Sequence, residues 1–284
     1  MPRLNNLIGL LDQGRVPIAT FSTPTVDAAV ALSTSHYDGV VFEAEHNPYD
    51  ISTLRDCLQY MLNRRQLVEQ ATLAPAVTPL IRIPANGGDM TQWQAKQVLD
   101  IGAYGVVWPR VSTVEQAYNA VASCRYPRPR SAARYEPEGQ RGDSPAQAAR
   151  YWGVTQQEYY KKADVWPLDP DGEILVIIMC EEVKAIDNLP AILKSVPGIG
   201  LVLIGEGDLS QNLGYPRQYD HPAVVEAMTA IRRICGEHGV PCGHPHADAD
   251  NARRLVDEGY RLLMAAPSRS LAGLDACRAL TGRA

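Results

Sequence analysis

The chain has 284 residues, of which 45% are hydrophobic and 21% charged, with a formal net charge of -5. That composition supplies one large core and excludes a chain too polar to fold. A mildly acidic sequence with no basic tract lacks the electrostatic footprint for nucleic acid or anionic membrane, and no apolar run is long enough to span a bilayer.

In chain order, short β-branched runs alternate with stretches of helical periodicity. Strands are predicted at Val16–Phe21, Gly39–Glu43, Leu80–Ile83, Gly105–Trp108, Ile174–Met179, Leu201–Ile204, Val240–Gly243 and Arg261–Ala265. Their continuous apolar character suits parallel strands buried on both faces. Helices are predicted at Asp27–Ser35, Thr53–Leu62, Trp93–Ile101, Val114–Ser123, Val183–Leu193, Ala223–His238 and Ala249–Glu258, with Gly102, Gly239 and Gly259 as C-terminal stops. Eight βα units imply a single-domain (β/α)8 TIM barrel over residues 1–284, with a doubly wound open sheet as the alternative. Residues 127–171 break the pattern with Pro, Arg, Tyr and Trp. They read either as a surface excursion or as an active-site wall, with a helix within Ser144–Lys162. The six cysteines are scattered without a C-x-x-C pair, and the first residues lack a signal-peptide stretch. Both point to reduced thiols in a cytoplasmic protein.

In a barrel, chemistry collects where strands end. Those ends carry Glu43, Glu45 and His46, then Arg82, then Glu181 and Glu182. They continue with Gly205-Glu206-Gly207-Asp208, then His244 and His246, then Arg269. Two carboxylates on neighbouring strand ends, Glu181 and Asp208, suit a hard divalent cation such as Mg2+ or Mn2+. The alternative is that they cap helices or pair with bases. Cys235, His238, Cys242, His244 and His246 fit no standard zinc spacing. One of the two later histidines is expected instead to contact an acceptor at the mouth, with Arg269 as a similar candidate.

The stretch Tyr37-Asp38-Gly39-Val40-Val41-Phe42-Glu43-Ala44-Glu45-His46-Asn47-Pro48 resembles the second-strand motif of the HpcH/HpaI aldolase family. The likeness continues in order through Leu80-Ile81-Arg82-Ile83-Pro84, Lys96–Ala103, Gly105–Val111, Cys124–Pro127, Glu181 and Ile204–Ser210, to Leu213–Pro216. The resemblance implies a class II, pyruvate-using aldolase. Such an enzyme cleaves a 4-hydroxy-2-oxo acid reversibly to pyruvate, or a related 2-oxo acid, and an aldehyde through a metal-stabilised enolate. It implies Glu181 and Asp208 as ligands of Mg2+, Mn2+ or Co2+, and no organic cofactor. Arg82 would neutralise the enolate oxygen, His46 with Asp100 would move protons, and Glu45 would hold a water on the cation. The backbone of Gly205, Glu206, Gly207 and Asp208 would receive the substrate carboxylate. It also implies a homo-oligomer, a hexamer or its sub-assembly, acting on small molecules.

These roles are chemically coherent. A cation chelated by a 2-oxo acid withdraws charge from the ketone, and Arg82 places a fixed charge where the enolate oxygen develops. The chain departs from the family pattern at Glu43 (commonly Asp), Ala44 (often Gly), Met179 (often Gln) and Glu206-Gly207 (commonly Pro-Ala), and it carries an insertion at Gly87–Met90. Those departures leave open the acceptor and the alternatives of oxaloacetate decarboxylation or macrophomate-synthase-like chemistry. A non-catalytic metabolite-binding barrel is the reading of another class.

Overall fold

The computed structural model describes residues 3–85, 92–266 and 272–282. Nine parallel strands form one sheet: β1 (Ile18–Ser22), β2 (Gly39–Glu43), β3 (Thr78–Arg82), β4 (Gly105–Trp108), β5 (Val165–Trp166), β6 (Ile174–Cys180), β7 (Leu201–Ile204), β8 (Cys242–Ala247) and β9 (Leu262–Ala265). Eight of them close a barrel in the order β1-β2-β3-β4-β6-β7-β8-β9, because β4 pairs directly with β6 and β9 pairs back to β1. The two residues of β5 add to the outer edge of β6 at its start. The fold is the predicted TIM barrel, and helices fill the connections between strands.

Strands β2, β4 and β7 begin and end where the sequence predicts, since glycine and apolar runs bound them sharply. The seventh barrel strand is displaced. It runs through His244-Pro245-His246 to Ala247, with a register irregularity between His244 and Ala247 that accommodates the proline. The three predicted stop glycines, Gly102, Gly239 and Gly259, all adopt positive φ. Instead of one helix over Ser144–Lys162, there are two, Ala146–Trp152 and Gln156–Lys162. Gly153 stops the first in the left-handed conformation, and a Thr155/Glu158 capping box starts the second.

A helix over Asn6–Asp12, which no periodic signal marked, packs at the N-terminal ends of the strands. Its Leu7 lies so close to Gly39 that a Cβ there would stand 2.8 Å from Leu7 Cδ1. Glycine at the start of β2 is therefore what lets this helix approach. Buried Asn5 donates to the carbonyls of Tyr104 and Glu173, locking the helix to the entries of β4 and β6.

The 127–171 excursion lies on this same side. Buried Arg125 donates to both carboxylate oxygens of Asp164 and to the carbonyls of Arg134, Tyr135 and Pro137. Trp152 stacks on Tyr104 at 4.6 Å and donates its indole N–H to Gly102 O. Both partners precede β4. Within this chain the excursion thus closes the N-terminal end of the barrel, where an active-site wall was the other expectation. Among the described residues, no helix is long and apolar enough to cross a membrane.

Candidate functional site

All strands are parallel, so their C-terminal ends open onto one mouth. Partners in register share a side-chain direction, and alternate residues face opposite ways. Glu43 is in register with Arg82, Arg82 with Val107, and Val107 with Ile177. This set points one way, and Met179 and Glu181 continue it along β6 and just beyond.

Glu181 follows β6 and is 3% exposed. It stands against Gly205, where a Cβ would lie 2.1 Å from Glu181 Oε2. Only glycine after β7 leaves room for that carboxylate. Burial pushes the Glu181 carboxyl up to about 7. The backbone N–H of Arg110 acts in the opposite sense, while Glu45 and Asp208 add like charge. Asp208 lies in the first turn of a short helix, Glu206–Asn212, which is absent from the predicted helices. The N–H of Gly205 is already donated to Cys180 O at 3.2 Å. The first-turn N–H groups of Glu206, Gly207 and Asp208 have no partner within the helix.

Arg82 is held by four side chains. It pairs with Glu43, lies 3.2 Å from Glu45 Oε2 and 3.7 Å from Met179 Sδ, and its guanidinium sits 4.7 Å over the Phe21 ring. Its Nε is buried without a protein partner. Glu43 also accepts the N–H groups of Glu45 at 2.7 Å and His46 at 3.2 Å, so one carboxylate fixes both the arginine and the turn after β2. Burial raises the Glu45 carboxyl, against Arg82 and His46. His46 Nε2 lies 3.6 Å from Glu45 Oε2, with its side chain 65% exposed at the mouth.

Other expected residues lie elsewhere. Asp100 ends the helix Gln92–Asp100 and pairs at 3.0 Å with Arg141 of the excursion, not with His46. The arginine explains why an acidic residue sits at a helix C-terminus, a position otherwise unfavourable to it. His244 is one residue out of phase with Gly243, which is in register with inward Leu203, and His246 beyond the register irregularity lines a cavity with it against the helices Pro222–Glu237 and Ala252–Glu258. They therefore face the outer helices rather than the mouth. His244 packs edge-on against Tyr260, and burial holds its imidazole down at about 4. His246 pairs with buried Glu206, which raises the imidazole. With Tyr219, Met228, Arg254 and Tyr260 they line a cavity of about 700 Å3. Arg269 and the Gly87–Met90 insertion lie outside the described residues.

Arg110 was not anticipated. It follows β4 at φ +54, donates its backbone N–H to Glu181 Oε1 at 2.6 Å, and donates from Nη2 to Asp208 Oδ1 at 3.1 Å. Nothing in its sequence position between Pro109 and Val111 signals that role.

The donor set fits a hard divalent cation. Glu181 and Asp208 bring oxygen only, Glu45 is near enough to add like charge, and Gly205 clears the space. Among the described residues, no group of three or more His, Cys, Asp or Glu encloses an ion alone. Two protein carboxylates leave the other octahedral positions to water and substrate.

Comparison with known proteins agrees with this architecture. The family model for HpcH/HpaI aldolase/citrate lyase matches residues 22–268. The chain belongs to this family. Its HpcH/HpaI relatives include 5-keto-4-deoxy-D-glucarate aldolases of Salmonella paratyphi A and Citrobacter koseri. Each is 31% identical over 228 residues, which is 80% of this chain and 76% of theirs. An HpcH/HpaI family protein of Burkholderia cenocepacia J2315 superposes with a TM-score of 0.74 at 26% identity, covering 98% of both chains. Macrophomate synthase shares the fold, with a TM-score of 0.69 at 24% identity over 99% of this chain and 87% of its own. As an HpcH/HpaI protein, the chain is a carbon–carbon lyase.

Proposed function

We propose that this HpcH/HpaI protein is a divalent-metal-dependent class II aldolase that cleaves a 4-hydroxy-2-oxo acid to pyruvate, or a close 2-oxo acid, and an aldehyde. The observation that carries this reading is the convergence of Glu181 and Asp208 with Arg82 and the Glu45–His46 pair at one barrel mouth. Glu181 and Asp208 would hold Mg2+, Mn2+ or Co2+, which supplies Lewis-acid polarisation of the substrate ketone when bound. The N–H groups of residues 206–208 receive the 2-oxo carboxylate. Arg82 places its charge against the ketone oxygen, where negative charge grows as the C3–C4 bond breaks. His46, backed by Glu45, takes the proton of the C4 hydroxyl. The bonding electrons pass to the enolate, and a proton returned to C3 completes pyruvate.

The relatives' names make 5-keto-4-deoxy-D-glucarate the first substrate to assay. Pyruvate release that requires Mg2+ or Mn2+, together with solvent exchange of pyruvate C3 protons, is expected. Absence of metal-supported exchange with every 2-oxo acid overturns the enolate reading. Oxaloacetate decarboxylation uses the same enolate without an aldehyde, and product analysis with oxaloacetate separates it. Wild-type turnover by Arg82→Ala would remove Arg82 from the mechanism, whereas no turnover of any 2-oxo acid by the metal-loaded wild type would favour a barrel that only binds metabolites. Oligomerisation, the hexamer of the resemblance, is a further expectation that sedimentation would check.

A further inference from the structure

Arg110 joins both carboxylates of the proposed metal pair, and we propose that it couples cation binding there to binding of a carboxylate-bearing ligand. The inference rests on the metal reading above. Three observations carry it. First, a non-glycine residue at φ +54 adopts a conformation that L-residues seldom occupy, and such strain persists where the surroundings impose it. Here that backbone aims the Arg110 N–H at Glu181 Oε1. Second, the guanidinium bonds Asp208 Oδ1, one of the two oxygens that this carboxylate offers a cation. Arg110 and the cation therefore compete for the negative charge of one carboxylate. Third, the two arginines of the mouth differ in freedom. Arg82 is enclosed by Glu43, Glu45, Met179 and Phe21, whereas the Arg110 side chain is 53% exposed and bonds to Asp208.

When a dication takes Asp208, the guanidinium loses its carboxylate and stands beside a second positive centre. An anion arriving with the substrate restores the match, and the planar fork of arginine suits a carboxylate. Arg110 therefore weakens binding of the cation alone and strengthens binding of the cation with a carboxylate ligand. By linkage, the carboxylate ligand binds better once the cation is in place. The substrate class this favours is an oxo acid with a carboxylate within reach of the β4 end of the mouth.

The test is titration of the full chain with Mn2+, read by electron paramagnetic resonance, alone and with oxalate. Arg110→Gln keeps the backbone donor to Glu181 and removes the charge. It is expected to bind Mn2+ alone 3- to 10-fold more tightly than wild type, and its oxalate-induced tightening is expected to shrink by at least 5-fold. Arg110→Lys keeps the charge and is expected to restore most of both effects, which a merely structural role would not. Equal or weaker binding of Mn2+ alone by Arg110→Gln, with the oxalate effect intact, overturns the inference. Asp208→Asn and Glu181→Gln separate the two levels. If both retain wild-type Mn2+ affinity, the metal reading fails and this inference with it. If both lose it while Arg110→Gln behaves as wild type, this inference alone fails.

Discussion

Glu181→Gln should stabilise the chelator-treated protein at pH 8 and leave it unchanged at pH 4. Burial raises the Glu181 carboxyl from the ordinary 4.5 to about 7. Between those values the folded chain holds a proton that the unfolded chain releases. The stability contributed is complete below about 4.5 and is lost as the pH rises through 7. At about 1.4 kcal/mol per pH unit, the gap corresponds to about 3 kcal/mol of lost stability at pH 8. Glutamine removes that buried charge yet keeps an oxygen for the Arg110 N–H. Thermal unfolding after EDTA treatment should place the variant about 6 °C above wild type at pH 8, taking about 2 °C per kcal/mol for a chain of this size. Mn2+ at 100 times its Kd should then raise wild type by about 2.7 kcal/mol and the variant hardly at all. A variant that melts at or below wild type at pH 8, or a gap that is equal at both pH values, refutes the reasoning.

Arg82→Ala strips the cation from Glu43 and Glu45, so it should cost about 3–5 kcal/mol of stability. It should also slow C3 proton exchange of pyruvate about 100- to 1000-fold, measured by NMR, and unchanged exchange would remove Arg82 from the chemistry. Gly205→Ala puts a methyl group 2.1 Å from Glu181 Oε2, and Mn2+ affinity should fall at least about 10-fold as that carboxylate is displaced. Arg125→Met leaves Asp164 buried without its main partner. Urea unfolding should show a loss of about 3–5 kcal/mol, with kcat/KM of the folded protein nearly unchanged, because the pair lies at the far end of the barrel.

The barrel was legible because its strands are uninterrupted apolar runs. Ile174–Cys180 has no polar residue to confuse the period, and Gly39 and Gly105 mark where β2 and β4 begin. The seventh strand was displaced because His244-Pro245-His246 has the composition of a loop, and only pairing with β9 across a bulge makes it a strand. In the site, the motif-bearing residues at strand ends were readable, since parallel strands put their C-terminal ends together. Side-chain partners from distant segments were not. Asp100 is satisfied by Arg141, and Arg125 ties together a stretch that looked available to the mouth. Arg110 is the clearest case. Its function depends on a left-handed backbone and on carboxylates 71 and 98 residues away, neither of which leaves a periodic trace.

The buried Asn5 has a consequence for synthesis. Its partner Glu173 lies 168 residues further along, and β1 pairs with β9 through Ile18 and Leu263. At about 5–20 residues per second, a ribosome needs on the order of 10–30 s after Asn5 before Glu173 exists, and several seconds more before β9 can close the ring. For that interval Leu7 can meet Gly39 of β2, but the tie from Asn5 to Glu173 cannot form. The helix that seals the barrel is made early and fully seated late.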